Sequence, residues 1–398
     1  MARRKGAIEP SSFNFSELSA NLLAQAHKQF GTEDVAPLRQ TEPEWGISLA
    51  GALPLQYVLG VNVLVLGRSL NIIGPPGGGK TQFSWELGRR IVRWPGFVNW
   101  FETENKASIG LIRSILQLSD EQVAQSVFRF RVKDTSDFKA KATNTLQRTI
   151  EQIGGQMPIM LLVDSLSDLV SPDMIAEMES NDPEGAGFGE ARLAADLTRW
   201  FKAINMQYLS KQPKLSLVFI NHQKVDLAAG SKPGMPPSKT TGSGGKHKDY
   251  QATWTIEVKE GKAEEQVSGI TTLHYMQMIK NAMGIGHRKI TYPVRHLISA
   301  DTQERITVFD WDDCLVRLLA DERAEIRKEL LGLDGTGNQW TCKAVGIKEK
   351  APRAEVGAAI HADPKLVEQL QKLLFIEMHK EFLPPTAAKP EEIEDGIH

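Results

Sequence analysis

The segment GPPGGGKT at 74–81 has the residue types and spacing to hold a chain of phosphates. Two spaced glycines, Gly74 and Gly79, are followed by Lys80 and Thr81, which fits the phosphate-loop pattern. Glycine lets backbone N–H groups close around phosphate oxygens where a Cβ would intrude. Lys80 would reach the β- and γ-phosphates, and the Thr81 hydroxyl would ligate Mg²⁺. Gly77 inside the loop and Gln82 just after it complete the expected nucleotide-binding set. The apolar run Leu70 to Ile73 before the loop reads as a strand, and Phe83, Leu87 and Ile91 after it are spaced as on a helix. That helix would point its positive dipole end at the same anion. A chance Gly/Pro turn would not carry this context.

Four further features could do chemistry. Asp164 follows the apolar run 159–163, where a carboxylate beside a phosphate loop holds Mg²⁺; an N-cap at Asp164-Ser165 is the alternative. Glu102 and Glu104 of FETE close the strand-like run 97–101, and either could deprotonate an attacking water. Asn221 and His222 follow the run 215–220, at the strand end where nucleotides bind in open α/β sheets. They could sense a γ-phosphate, although a lone His is more often a satisfied surface residue. The stretch 223–248 carries lysines 224, 232, 239, 246 and 248 against Asp226, with Gly, Pro, Ser and Thr throughout. It cannot pack a core and is expected to be mobile. Its charge suits a phosphate backbone, and Val225, Leu227 and Met235 could wedge between bases. DNA contact and an ordinary linker remain equally open on these residues alone.

The elements that must position these groups follow from hydrophobic period. Residues 16–30 are helical in pattern, and prolines 37, 43 and 54 argue against a long element over 32–60. Phe138, Ala142, Leu146 and Ile150 recur every four residues, as on an amphipathic helix, and 190–210 is helical. Runs 97–101, 128–132, 159–163 and 215–220 read as strands. Continuous apolar strands alternating with helices predict an α/β fold with a mainly parallel central sheet covered on both faces. The regions 311–331 and 363–383 read as helices, and 389–398 is acidic.

Composition bounds the class. The chain has 398 residues with 47 basic and 49 acidic side chains, so nucleic-acid contact would need a local patch. Cys314 and Cys342 have no metal-ligand spacing and read as reduced thiols. No apolar run approaches the ~20 residues that span a bilayer. MARRKGAIEP has no apolar run behind it, which argues against a secretory signal and for the cytoplasm of a bacterial or phage-infected cell.

Taken together, GPPGGGKT, FETE, LLVDSLSDL, VFINHQK and the long loop ending TTGSGG resemble RecA-type recombinases in their order, over roughly residues 20–295. KQFG at 28–31 also resembles the segment before the RecA core. The Asn-His pair is similar to the phage UvsX branch. The resemblance implies a RecA-like ATPase core over 46–310, an N-terminal arm and helix for subunit contact over 1–45, and a small C-terminal region with an acidic tail over 311–398. It implies Glu104 as the water-activating base, Lys80 and Thr81 as the phosphate-loop pair, Asp164 as the magnesium carboxylate and His222 as γ-phosphate sensor. Lys280, in MIKN, resembles a lysine that reaches the ATP of a neighbouring subunit.

The resemblance also implies DNA-contacting loops at 171–189 and 223–245, with Phe188 near a DNA-facing position in the first; the charge and apolar residues of the stretch 223–248 make Lys224, Lys232, Met235, Lys239 and Lys246 the further candidate contacts. Ala282 stands where the family commonly has a second basic residue, with Arg288 and Lys289 as candidate replacements. Leu111 stands where an aromatic residue often stacks near adenine. The expected function is ATP-dependent DNA strand exchange in a helical filament on single-stranded DNA, paired with duplex DNA, using ATP and Mg²⁺. Single-strand-binding and mediator proteins are candidate partners, and no membrane is involved. A ring-shaped hexameric helicase or its loader, or a regulatory ATPase that binds protein, is the alternative.

Overall fold

Alternate residues of the run Ile159–Val163 enter two different cores. Met160 and Leu162 join a cluster containing Ile72, Phe83, Trp85, Leu87 and Trp100. Ile159, Leu161 and Val163 join another containing Phe101, Phe138, Leu146, Leu197 and Phe219. A strand buried on both faces needs apolar residues at every position, which is why this run carries no polar alternation. The computed structural model from which these contacts come describes residues 15–30, 45–104, 108–153, 157–180, 186–209, 214–226, 238–241, 252–266, 269–284, 286–298, 304–322 and 326–379.

The chain divides into two units, Met1–Pro43 and Glu44–His398. In the first, the described residues form the helix α1 (Phe15–Phe30). In the second, the strands are β1 (Gly46–Ser48), β2 (Val63–Val65), β3 (Ser69–Gly74), β4 (Phe97–Glu102), β5 (Val127–Arg131) and β6 (Ile159–Asp164). They continue with β7 (Leu215–Asp226), β8 (Ser238–Thr241), β9 (Trp254–Gln266), β10 (Gly269–Asn281), β11 (Lys289–Ile298) and β12 (Arg305–Phe309). The helices before residue 210 are α2 (Leu53–Leu59), α3 (Lys80–Arg93), α4 (Ile109–Leu116), α5 (Asp120–Ser126), α6 (Thr135–Ile153), α7 (Pro172–Ser180) and α8 (Ala186–Ile204).

The central ten-stranded sheet has the order β12-β11-β10-β9-β3-β7-β6-β4-β5, with β8 paired to β7. From β5 to β9 every neighbouring pair is parallel. The pairs β9–β10, β10–β11 and β11–β12 are antiparallel. The phosphate-loop strand β3 therefore lies inside the sheet, between β7 and β9. α6 begins where Asp134 Oδ1 accepts from the backbone N of Ser136 at 2.7 Å and Asp137 at 2.9 Å, an N-cap. Its Phe138, Ala142 and Leu146 are fully buried, as the four-residue spacing requires. No helix among the described residues is long and apolar enough to cross a membrane.

Several expectations need correction. Much of the expected loop 171–189 is helical, as α7 and the start of α8. Ser171 Oγ caps α7 by accepting from Met174 N at 3.2 Å, and Pro172 supplies the first-turn residue without an orphan N–H. The basic stretch also opens and closes as a hairpin: β7 runs on to Asp226 and pairs antiparallel with β8, Gln223 facing Thr241 and Asp226 facing Ser238. Residues 227–237 and 242–245 lie outside the described residues.

The C-terminal region also differs from expectation. Of the helix expected over 311–331, Trp311–Glu322 is α-helical as α9 and Ile326–Leu330 forms a π-turn, while residues 323–325 lie outside the described residues. A three-stranded antiparallel sheet comes next, formed by β13 (Leu333–Thr336), β14 (Gln339–Cys342) and β15 (Ile347–Pro352). Then come α10 (Arg353–His361) and α11 (Pro364–Leu373). The helix expected over 363–383 thus ends ten residues early within the described chain, with Phe375 at φ 53° just beyond it. Residues 380–398, including the acidic tail, lie outside the described residues.

Candidate functional site

Parallel pairing brings strand ends together along one edge of the sheet. Gly74 pairs with His222 across β3 and β7, and Glu102 pairs with Asp164 across β4 and β6. This is the carboxyl edge of an open α/β sheet, where chain connections leave a crevice for a ligand.

The phosphate loop rests directly on the return strands. A Cβ at Gly74 would fall 2.0 Å from the carbonyl oxygen of Val258, and one at Gly79 would fall 2.6 Å from Nδ1 of His274. Gly79 also has φ 89°, in the left-handed region that favours glycine. His274 is itself buried, 3.4 Å from the Gly78 carbonyl through Nδ1 and 3.0 Å from Thr272 Oγ1 through Nε2. Its ring stacks on Tyr292 at 5.4 Å. Burial lowers the His274 pKa, so the imidazole is a neutral support for the loop. Nothing in the sequence pattern marks this residue, because its role depends on β10 returning past β9.

Lys80 is 5 % exposed. Its ammonium donates to the loop carbonyls of Pro75 at 2.7 Å and Gly74 at 3.2 Å. Burial lowers its pKa, and the carboxylates of Glu104, Asp164 and Asp168 oppose that shift. Gln82, in the first turn of α3, has a buried Oε1 with no hydrogen-bond partner among the described residues. Thr81 Oγ1 donates to Asp164 Oδ2 at 2.9 Å. Burial pushes Asp164 up to about 6, the Thr81 hydrogen bond opposing it. A buried carboxylate held against a hydroxyl, with oxygen donors only, fits a hard divalent cation that would keep it ionised.

The two FETE carboxylates separate by environment. Glu102 is 3 % exposed and accepts from Arg129 Nε of β5 at 2.7 Å, so it serves an ion pair within the fold. Glu104 instead reaches His222: Glu104 Oε1 and His222 Nε2 are 2.6 Å apart. Thr103 fixes this approach. Its backbone N donates to the Asp164 carbonyl at 3.0 Å, and its hydroxyl is 2.8 Å from both the N and the O of Ser165.

One residue at this edge escaped the sequence. Asp168 sits on a short 3-10 turn, Leu166–Asp168, with Oδ2 3.4 Å from His222 Nε2. Hydrogen bonds from His222 and Ser165, with His222 the larger influence, hold the Asp168 carboxyl well below the usual range. Hydrogen bonds to Asp168 and Glu104 push His222 up to about 9. One ligand-capable atom from each of Glu104, Asp168 and His222 lies within 4.8 Å of the other two. Asn221 is held in the sheet, donating through Nδ2 to Asn71 Oδ1 at 2.9 Å, while its Oδ1 accepts from Ser167 Oγ at 3.5 Å.

Other expected residues fall elsewhere. Lys280 is level with Thr255 on β9, which is level with Asn71, three residues before Gly74. The fold therefore does not bring Lys280 to its own phosphate loop. Arg288 is 7 % exposed and donates to the Tyr57 carbonyl at 2.6 Å and the Phe375 carbonyl at 2.9 Å. Those bonds commit it to the fold rather than to replacing the base missing at Ala282. Lys289 is exposed. Leu111 packs partly against the main core. Of the DNA candidates, Phe188 lies in α8, Lys224 in β7 and Lys239 in β8. Lys232, Met235 and Lys246 lie outside the described residues.

No family model matches the chain. It is similar to proteins named Protein RecA from several bacteria. The relative from Syntrophus aciditrophicus is 24% identical over 277 residues, 68% of this chain and 73% of that protein. Those from Geobacter metallireducens and Nitrobacter winogradskyi are 25% identical over 279 residues and 22% identical over 294 residues. They cover 68% and 73% of this chain respectively, and 74% of each relative. The similarity is low but extends over most of the chain, and with the largely parallel sheet it supports a RecA-type relationship.

Proposed function

We propose that this protein is an ATP-dependent DNA strand-exchange recombinase of the phage UvsX-like branch. It polymerises on single-stranded DNA, holds ATP at the carboxyl edge of the sheet, and pairs the bound strand with homologous duplex. The observation that carries this is the Glu104–His222 contact. It joins a candidate base to a side chain on β7, the strand that runs straight on into the basic hairpin.

In this account Glu104 takes the proton of a water attacking the γ-phosphorus, the bond to the ADP oxygen breaks, and ADP and phosphate leave. Lys80 holds β- and γ-phosphate oxygens, exchanging its loop carbonyls for them. Thr81 and Asp164 would hold Mg²⁺, which supplies charge neutralisation on the phosphate oxygens. His222 exchanges Glu104 for the γ-phosphate, so the nucleotide state is transmitted along β7 to the hairpin, a population shift between two arrangements.

Incubation of a single-stranded circle with a homologous linear duplex tests the function. Joint molecules should form with ATP and fail to form without it. A protein that binds the single strand but never pairs it with duplex would contradict strand exchange.

A further inference from the structure

His222 Nε2 faces two carboxylates, and the hydrolysis described above uses only one of them. Glu104 is the nearer at 2.6 Å, and Asp168 Oδ2 is at 3.4 Å. The turn that carries Asp168 also holds the sensor's main chain, since His222 N donates to Ser167 Oγ at 2.7 Å. Ser165 Oγ donates to the same Asp168 oxygen, Oδ2, and so holds that oxygen near the imidazole. All three side chains are partly open, at 18 %, 38 % and 23 % exposure for Glu104, Asp168 and His222, so a small ring movement is available to them.

The charges around His222 come from four elements. Glu104 lies beyond β4, Asp168 on the turn after β6, Asp164 at the end of β6 and Lys80 at the start of α3. The carboxylates favour the imidazolium, and the Lys80 ammonium opposes it. If Glu104 were the only close carboxylate, an imidazolium drawn off it would pass the Lys80 ammonium with no anion beside it until it reached the γ-phosphate. The ring would then lose its proton and its attraction for a γ-phosphate. A second carboxylate within reach removes that difficulty.

We propose that Asp168 is the positioning residue of the sensor: it keeps hold of His222 when the γ-phosphate of ATP draws the imidazole off Glu104. The imidazolium then keeps a hydrogen-bonded partner throughout the switch. This rests on the reading of the edge as an ATP-hydrolysing site. It adds a residue whose position in LSDL no phosphate-loop pattern specifies.

Two measurements test it on the full-length chain. The first needs no nucleotide: titrate the His222 imidazole by NMR, identifying its signal by its absence in His222→Gln. Asp168→Asn should lower the midpoint toward the ordinary imidazole value of about 6.5, and Asp168→Glu should keep it high. Asp168→Ser, which also lacks the charge, repeats the comparison if the amide variant misfolds. The second is the pH profile of ATP turnover. Wild type and Asp168→Glu should hold a plateau between about pH 7 and about pH 8.5, while Asp168→Asn should decline as the imidazole deprotonates. An unchanged midpoint, or an Asp168→Asn profile that keeps the plateau, would overturn the proposal. A wild-type protein without turnover would instead contradict ATP hydrolysis, while the imidazole titration would still decide whether Asp168 holds His222.

Discussion

The carboxylate of Glu104 and the imidazole of His222 are 2.6 Å apart, although 118 positions separate them in the chain. A base held this way is not free to take a proton from water. Something must draw the imidazole off before Glu104 can act, and a γ-phosphate held at the phosphate loop has the charge to do so. Nucleotide occupancy and base activation thereby become one event.

The two FETE carboxylates should separate cleanly on mutation. Glu104→Gln keeps the shape but loses the base, so turnover should fall by ~10²–10⁴ while ATP binding remains. Glu102→Gln should spare turnover per folded molecule. It should cost about 2 kcal/mol of stability in denaturant unfolding, because Arg129 loses a charged partner at a buried end. Parental turnover in Glu104→Gln would remove it as the base.

Stability should respond to pH through His222. Its pKa in the fold is about 9, held up by Asp168 and Glu104, against about 6.5 unfolded. The imidazolium's contribution is complete below about pH 6.5 and is lost as pH rises through about 9. With partial exposure and solvent screening, it amounts to about 1 kcal/mol. Nucleotide-free protein should therefore lose more stability across this window than His222→Gln does. Parallel pH curves for the two would mean that His222 is not held as a cation.

Much of this edge was legible in the chain. The phosphate loop announces itself by residue type, and apolar runs of five or six residues fix strands whose carboxyl ends must carry Glu104, Asp164 and His222. What stayed hidden depends on contacts across the sheet. Asp168 meets His222 only because β6 and β7 are neighbours, and His274 reaches the phosphate loop only because β10 returns antiparallel to β9. α7 carries a local start signal in Ser171-Pro172, an N-cap residue followed by a first-turn proline. The three-stranded sheet at 333–352 carries short, mostly polar strands, and these give little alternation to detect.

The basic hairpin should contribute to salt-dependent DNA affinity. Replacing Lys232 and Lys239 with Ala should weaken binding to single-stranded DNA and flatten its dependence on salt. The log–log slope should fall by roughly 0.7 for each phosphate that is no longer neutralised. An unchanged slope with unchanged affinity would return this stretch to a linker.

Lys280 should act across a subunit boundary, since its own phosphate loop is not beside it. Lys280→Ala and Lys80→Ala should each lose most of the DNA-stimulated turnover. Mixing them should restore part of it, through junctions that pair an intact loop with an intact Lys280. Co-assembly without recovery would argue against action in trans.

Electron microscopy with single-stranded DNA and ATP tests the central claim most directly. The wild-type protein should form continuous helical filaments along the DNA, and Lys80→Ala should not form them. Closed rings, or particles indifferent to DNA and ATP, would contradict a filament-forming recombinase.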